Sequence, residues 1–229
     1  METAILMASG LGTRMRPLTE TVPKPLIKVK EQPMIETVIQ SLRHRGVEKI
    51  YVVVGYLGDQ FQYLTEKYSQ LELIENPDYK RVNNISSIYA ARNVLGSSDC
   101  FICEADLFVA DSSLLNVTLE ESCYFGKMVP GYSEDWVFDL GEDGYITRVG
   151  KGGTDCYNMV GISFFKKRDA EQLAKAITKT YGTKGYETLF WDDVVNRNLD
   201  FLKLRVHEVM AGQIYEIDTV EELEAVSHL

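Results

Sequence analysis

The stretch Thr3-Ala-Ile-Leu-Met-Ala8-Ser-Gly10-Leu-Gly-Thr-Arg14-Met-Arg16-Pro-Leu-Thr19 decides how this chain is read. Thr3 to Ala8 is too uniformly apolar for a strand with one wet face, so it predicts a parallel strand covered on both sides. The glycines follow at once, at the position where backbone amides converge on phosphate. Two familiar phosphate loops do not fit. A dinucleotide fingerprint needs a third Gly where Met15 stands, and a Walker loop needs Gly-Lys where Met15 and Arg16 stand. Gly-x-Gly alone would equally serve a tight turn. Here Arg14, Arg16 and Lys24 share one short segment with the glycines, stiffened by Pro17, Pro23 and Pro25. A long polyphosphate needs amide donors on one side and fixed cations on the other, which this loop supplies. The alternative is a solvated basic loop.

Outward from this loop, elements alternate. Pro33 starts a helix with Ile35, Val38, Ile39 and Leu42 at helical spacing, and Gly46 caps it. Lys49 to Gly55 is a second buried strand, Asp59 to Tyr68 a helix, and Leu71 to Glu75 a short strand. A helix carrying Ile85, Ile88 and Leu95 precedes the strand Cys100 to Glu104. This order predicts an α/β, doubly wound parallel sheet. After about Asp111 the pattern changes. Cys123–Val129, Trp136–Leu140, Tyr145–Val149 and Tyr157–Phe165 read as strands, with Gly141-Glu-Asp-Gly144 as a hairpin turn. Helices are expected from Arg168 to about Tyr181 and from Glu187 to Asn196. Strands Phe201–Glu208 and Gln213–Ile217 follow, and Thr219-Val-Glu-Glu222 is a capping box that opens a terminal helix. No linker or repeat separates the halves. The expectation is a single domain over 1–229, with a nucleotide-binding half (1–110) and an acceptor-binding half (111–229).

Composition sets outer bounds. The chain has 229 residues, 45% hydrophobic and 25% charged, values of an ordinary globular protein. Its net charge of −10 disfavours nucleic acid and anionic membrane surfaces as partners. The longest apolar stretch, Ile50 to Leu57, is far below the ~20 residues needed to cross a bilayer. The first residues lack the basic start of a signal peptide, so a cytoplasmic location is expected. Cys100 and Cys103 have redox-motif spacing. On a strand they point to opposite faces, which predicts buried thiols rather than a cooperating pair.

Three further groups carry chemistry. Asp106 and Asp218 each follow an apolar strand, and ligands of open α/β sheets bind beyond the carboxyl ends of strands. Two carboxylates plus phosphate oxygens suit Mg²⁺; the alternative for Asp218 is support of the following helix start. Asn83 and Asn84 precede a helix that opens with Ser86 and Ser87. Their amides suit a pyrimidine edge or, equally, helix capping. Trp136, Trp191 and Tyr215 each stand beside acids, including Asp192 and Glu216. Aromatic faces with a nearby negative charge are what a quaternary ammonium requires. The alternative is that Trp191 packs a core while its aspartates face water.

The run Gly10-Leu-Gly-Thr-Arg-Met-Arg-Pro-Leu-Thr19 with Pro23-Lys24-Pro25 resembles the signature of the sugar-phosphate nucleotidylyltransferases. Over essentially its whole length the chain is similar to the short bacterial CTP:phosphocholine cytidylyltransferases, through Val54-Gly-Tyr-Leu57, Asn83-Asn84-Ile-Ser-Ser87, Glu104-Ala-Asp106, Trp136, Trp191-Asp192 and Tyr215-Glu-Ile-Asp218. It lacks the Glu-Lys-Pro motif of the sugar-handling branch, and Ser9 stands where the family usually has Ala or Gly. The resemblance implies a Rossmann-like three-layer fold with a mixed, mainly parallel sheet of the nucleotide-diphospho-sugar transferase type. It assigns Ala8, Gly10, Leu11, Gly12, Thr13, Arg14, Lys24, Asn83, Asn84 and Ser87 to the nucleotide. Trp136, Trp191, Asp192, Tyr215 and Glu216 fall to the acceptor, Asp106 and Asp218 to Mg²⁺, and catalysis to Lys24, Arg14 and Asp106. The implied reaction joins CTP and phosphocholine into CDP-choline and pyrophosphate. The alternative acceptors are 2-aminoethylphosphonate and phosphoethanolamine, and a catalytically silent nucleotide-binding regulator is the reading from another class.

Overall fold

The computed structural model describes residues 2–228. Its strands are β1 (Glu2–Ala8), β2 (Lys28–Val29), β3 (Gln32–Pro33), β4 (Lys49–Val54), β5 (Leu71–Glu75), β6 (Asp99–Glu104), β7 (Leu107–Val109), β8 (Cys123–Leu140), β9 (Ile146–Phe165), β10 (Arg205–Glu208) and β11 (Ile214–Glu216). The helices are α1 (Met34–Arg45), α2 (Tyr63–Lys67), α3 (Ile85–Ala90), α4 (Lys167–Thr180), α5 (Trp191–Asn196) and α6 (Val220–Ser227). Seven strands form the central sheet in the order β10-β8-β9-β6-β1-β4-β5. β6, β1, β4 and β5 are mutually parallel, as is β10 with β8, while β9 runs antiparallel to both its neighbours.

The pattern of β1 explains its place. Its apolar residues point alternately into the two layers that cover the sheet. Ala4, Leu6 and Ala8 pack with α1 and α2 through Ile35, Val38, Leu42 and Leu64. Ile5 faces Ile85, Ile88, Leu173 and Val194 from α3, α4 and α5. A strand buried on both faces must be apolar at every position, as read from the sequence. Cys103 lies in the first layer and Cys100 in the second, so the sheet separates the two thiols. Burial pushes the Cys100 thiol up to about 12 and raises Cys103 as well.

The second half departs from the expected strands. The four segments 123–129, 136–140, 145–149 and 157–165 belong to two long strands, β8 and β9. Register shifts between Val129 and Tyr132 and between Ser133 and Trp136 bend β8 without ending it. Val137 then pairs with both Gly150 and Asn158, so the hairpin folds back on itself. Pro130-Gly131 looks like a break in sequence; in the structure the Gly131 amide donates to Asp155 Oδ1 at 2.8 Å and pairing resumes. Elsewhere the differences are trims. The helix expected at Asp59–Tyr68 opens with a 3₁₀ turn at Gly58–Phe61, and α3 ends at Ala90 in turns rather than reaching Leu95. The helix expected from Glu187 starts at Trp191 after a separate turn at Tyr186–Thr188. The strand expected from Phe201 starts at Arg205. No described helix is long and apolar enough to cross a membrane.

Candidate active site

A cavity of about 480 Å³ opens beyond the carboxyl ends of β1 and β6. The glycine-rich loop forms one wall. Gly12 has φ +61°, and a Cβ there would lie 2.9 Å from Lys24 Cβ and 3.0 Å from Thr19 Cγ2. Glycine is therefore required both by conformation and by space. The Thr19 hydroxyl donates to Gly12 O at 2.8 Å and closes the loop on itself. Lys24 stands in a short 3₁₀ turn between Pro23 and Pro25 and is only 7% exposed.

The charged centre is compact. Lys24 Nζ donates to Asp106 Oδ2 at 2.6 Å and to Asp218 Oδ1 at 2.5 Å. The exposed Arg14 guanidinium reaches Asp218 Oδ2 at 2.6 Å. Burial works to lower the Lys24 pKa, but the two carboxylates outweigh it and hold the ammonium charge more firmly than in water. Asp218 does not cap α6. That task belongs to Thr219, whose hydroxyl accepts from the Glu222 amide at 3.2 Å. Glu104 and Glu216 complete the acidic lining. Surrounding protein and the charges of Asp106, Glu216 and Asp192 raise the Glu104 carboxyl well above its ordinary value. Glu216 is raised for the same reason, with Asp218 and Asp106 as neighbours.

Every residue assigned to the nucleotide lines this one cavity: Ala8, Gly10, Leu11, Gly12, Thr13, Arg14, Lys24, Asn83, Asn84 and Ser87. Arg16 is exposed and stands outside the lining. The two asparagines also hold the halves together. Asn83 Nδ2 donates to Thr188 O at 3.3 Å, and Asn84 Oδ1 accepts from the Trp191 amide at 2.9 Å. Asn84 therefore satisfies the start of α5 rather than capping its own helix.

The acceptor residues are not gathered in the same way. Of the five, only Glu216 lines the cavity. Trp191 is 3% exposed and packs against Tyr124 and Phe165, in the core. Asp192, expected to face water if Trp191 did pack there, is also 3% exposed and accepts from the Tyr124 hydroxyl at 2.9 Å. Burial pushes its carboxyl up to about 7. Tyr215 alternates away from Glu216 along β11 and joins Phe108, Met15 and Ile217 in a separate cluster. Trp136 is half-buried, edge-on to Phe190 with centroids 5.2 Å apart. Period-two alternation decides the placement of Tyr215, because neighbours on a strand take opposite faces.

The lining also contains Ser9, Tyr79, Ser86 and Glu104, to which the sequence reading assigns no site role. Glu104 is within reach of sequence reasoning: two residues before Asp106 at a strand end, it shares that residue's face. Gly161 makes room for it, since a Cβ there would meet Glu104 Oε2 at 2.9 Å.

A mixed, mainly parallel sheet with a glycine-rich loop, a bridging lysine and aspartates brought to one cavity from β6 of that sheet and from β11 of the separate β7–β11 pair defines a nucleotide-handling transferase fold. The chain belongs to the nucleotidyl transferase family, which matches residues 3–121. It is 54% identical over 225 residues to a 2-aminoethylphosphonate cytidylyltransferase from Lancefieldella rimae, covering 98% of this chain and 92% of the relative. A choline-phosphate cytidylyltransferase from Streptococcus pneumoniae is 34% identical over 219 residues, covering 96% and 94%. The solved structure of CTP:phosphocholine cytidylyltransferase from Streptococcus pneumoniae superposes with a TM-score of 0.91 at 33% identity, over 99% of this chain and 98% of that one.

Proposed function

We propose that this protein is a cytidylyltransferase that joins CTP to 2-aminoethylphosphonate and releases pyrophosphate. The observation that carries the chemistry is the bridge from Lys24 to both Asp106 and Asp218 at the mouth of the glycine-rich loop. A phosphonate oxygen attacks the α-phosphorus of CTP in line, the bond to the β-phosphate bridging oxygen breaks, and pyrophosphate leaves. The attacking oxygen is already anionic at neutral pH, so no general base is needed. Alignment and charge neutralisation supply the acceleration. The loop amides hold the phosphates, Lys24 and Arg14 face the charge gathering on the leaving group, and Asn83, Asn84 and Ser87 line the base.

Asp106 and Asp218 would hold Mg²⁺. Among the described residues no group of three or more His, Cys, Asp or Glu has metal-holding geometry. Mg²⁺ needs only one or two carboxylates when phosphates and water complete its shell. These two already converge on a single cation, the Lys24 ammonium, so the donor set fits. When bound, the ion neutralises phosphate charge.

The acceptor reading moves from phosphocholine to 2-aminoethylphosphonate on two supports. The relative that carries that name is 54% identical, against 34% for the choline-phosphate enzyme. The cavity offers the carboxyl oxygens of Glu104 and Glu216 rather than Trp191 or Tyr215 faces. A primary ammonium donates three hydrogen bonds to such groups, whereas a trimethylammonium donates none. The test is a competition in which the purified protein, CTP and Mg²⁺ meet equimolar 2-aminoethylphosphonate and phosphocholine, with products resolved by ³¹P NMR. Predominance of the CMP-phosphonate adduct is expected. Predominance of CDP-choline returns the acceptor to phosphocholine, and absence of both products with CTP removes the cytidylyltransferase reading.

A further inference from the structure

In the cavity wall a polar network joins Ser87, one of the residues assigned to the nucleotide, to Ser9, Ser86 and Asn76. Ser9, Asn76, Ser86 and Ser87 are 5%, 1%, 2% and 2% exposed, and an unpaired polar group so buried is costly. Asn76 follows β5, and its amide continues the ladder by donating to Val54 O at 2.8 Å. Its side-chain Oδ1 accepts from the Asp78 amide at 3.0 Å, so the orientation of the carboxamide is fixed by a backbone donor that cannot reverse. The Nδ2 group must therefore point at the serines: Ser86 Oγ at 2.9 Å, Ser9 Oγ at 3.1 Å and Ser87 Oγ at 3.4 Å. Ser86 passes its own proton to Asn83 O at 2.9 Å. Ser9 and Ser87 lie 2.8 Å apart and share one proton between them.

The count of protons gives the network a direction. The Ser9–Ser87 pair carries two hydroxyl protons and receives N–H from Asn76. One proton is spent within the pair, and the protein offers no acceptor for the other. Its outlet is the cavity, which both serines line. We infer that Asn76 is a positioning residue that fixes the Ser9–Ser87 hydroxyl pair as an outward hydrogen-bond donor to the pyrimidine of the bound nucleotide, favouring cytosine over uracil. Cytosine offers adjacent acceptors at O2 and N3, whereas uracil carries a proton on N3 that opposes a fixed donor. The inference rests on the cytidylyltransferase reading and adds the source of its base preference.

The test measures CTP and UTP binding by calorimetry without acceptor, alongside the steady-state KM and kcat for each nucleotide. Asn76→Asp, assayed at pH 8, places a carboxylate where the carboxamide was. The serines then donate inward and no proton is left for the base. Its Kd and KM for CTP should rise at least about tenfold, with kcat and the acceptor KM little changed. The CTP:UTP ratio should narrow, which a merely structural defect would not produce. The double variant Ser9→Ala/Ser87→Ala removes the outward donor while leaving Asn76 in place, and should narrow the ratio in the same way. It carries the test if Asn76→Asp does not fold. An unchanged CTP:UTP ratio in a folded variant of either kind overturns the inference. A wild-type protein that binds neither pyrimidine nucleotide overturns the cytidylyltransferase reading instead.

Discussion

The Lys24 ammonium lies 2.5 Å from Asp218 Oδ1, joining the loop after the first strand to a residue just beyond the last across 194 positions of chain. The same nitrogen meets Asp106 at 2.6 Å, so one cation ties three segments at the cavity mouth. In the proposed reaction Lys24 and the two carboxylates must exchange some of these contacts for phosphate and Mg²⁺. Their energies in the free protein and in the loaded one are coupled.

Lys24→Met keeps length and apolar bulk but removes the charge that would meet pyrophosphate. Turnover should fall by roughly 2–4 kcal/mol of barrier while the acceptor KM changes little. Steady-state kinetics on the folded variant check this. Unchanged turnover would return Lys24 to a purely structural role.

Asp106→Asn and Asp218→Asn should each lower turnover by a factor on the order of 10² and shift the Mg²⁺ concentration for half-maximal rate upward. Both residues are partly exposed at strand ends, so thermal unfolding should move only modestly. A Mg²⁺ titration identical to wild type in either variant would dissociate that residue from the metal.

The two tryptophans should separate cleanly. Trp191→Ala opens a hole between Tyr124 and Phe165 and should cost ~3–5 kcal/mol of stability in urea unfolding. Trp136 rests on Phe190 at the edge of its core, so Trp136→Ala should leave stability closer to wild type. With 2-aminoethylphosphonate as acceptor, kcat/KM of Trp136→Ala should stay within a few-fold of wild type. A loss of about 1–2 kcal/mol confined to phosphocholine would mark an aromatic contact specific to methylated ammonium.

Asp192 makes stability depend on pH. Its folded-state carboxyl, pushed up to about 7, lies above the ordinary value of 3.8 that the unfolded chain has. Between those values the folded state binds the extra proton, so stability falls as pH rises from about 4 to 7 and then levels. Asp192→Asn removes that penalty. The variant should gain on wild type by a few kcal/mol at most, since each tenfold difference in proton affinity is worth about 1.4 kcal/mol. The gain should be present at pH 8 and small at pH 4. Parallel urea titrations at both pH values check the sign; an equal difference at each would rule the linkage out.

The glycine-rich loop, Lys24, Asp106 and Asp218 are legible in sequence because each sits beside an apolar strand or a proline-fixed turn. A strand's end is a local signal and fixes the edge of the sheet on which the residue falls. The aromatic–acid pairs are less legible. Adjacency in sequence places Trp191 beside Asp192 and Tyr215 beside Glu216, but not on which side of a helix or strand the cavity lies. Ser9 and Asn76 are invisible as a pair because 67 residues separate them and only the register of β1, β4 and β5 brings their ends together. The long β8–β9 hairpin escapes a sequence reading for a related reason. Its continuity depends on cross-strand pairing through bulges, and Pro130-Gly131 carries the local signature of a stop.

The antiparallel strand β9 sits between β6 and β8 and so stitches the second half of the chain into the middle of the sheet built by the first. A fragment ending near residue 110 would display Cys100–Cys103 as a bare, apolar edge, since those residues pair with Ile162–Phe165 in the whole chain. Unpaired edges of this kind recruit other strands, including those of identical neighbours. The growing polypeptide meets the same hazard: until β9 has left the ribosome, the sheet of β5, β4, β1 and β6 carries an open edge at β6. Splitting this enzyme for biosensor or complementation use would work only with a cut that keeps β6 and β9 on one piece.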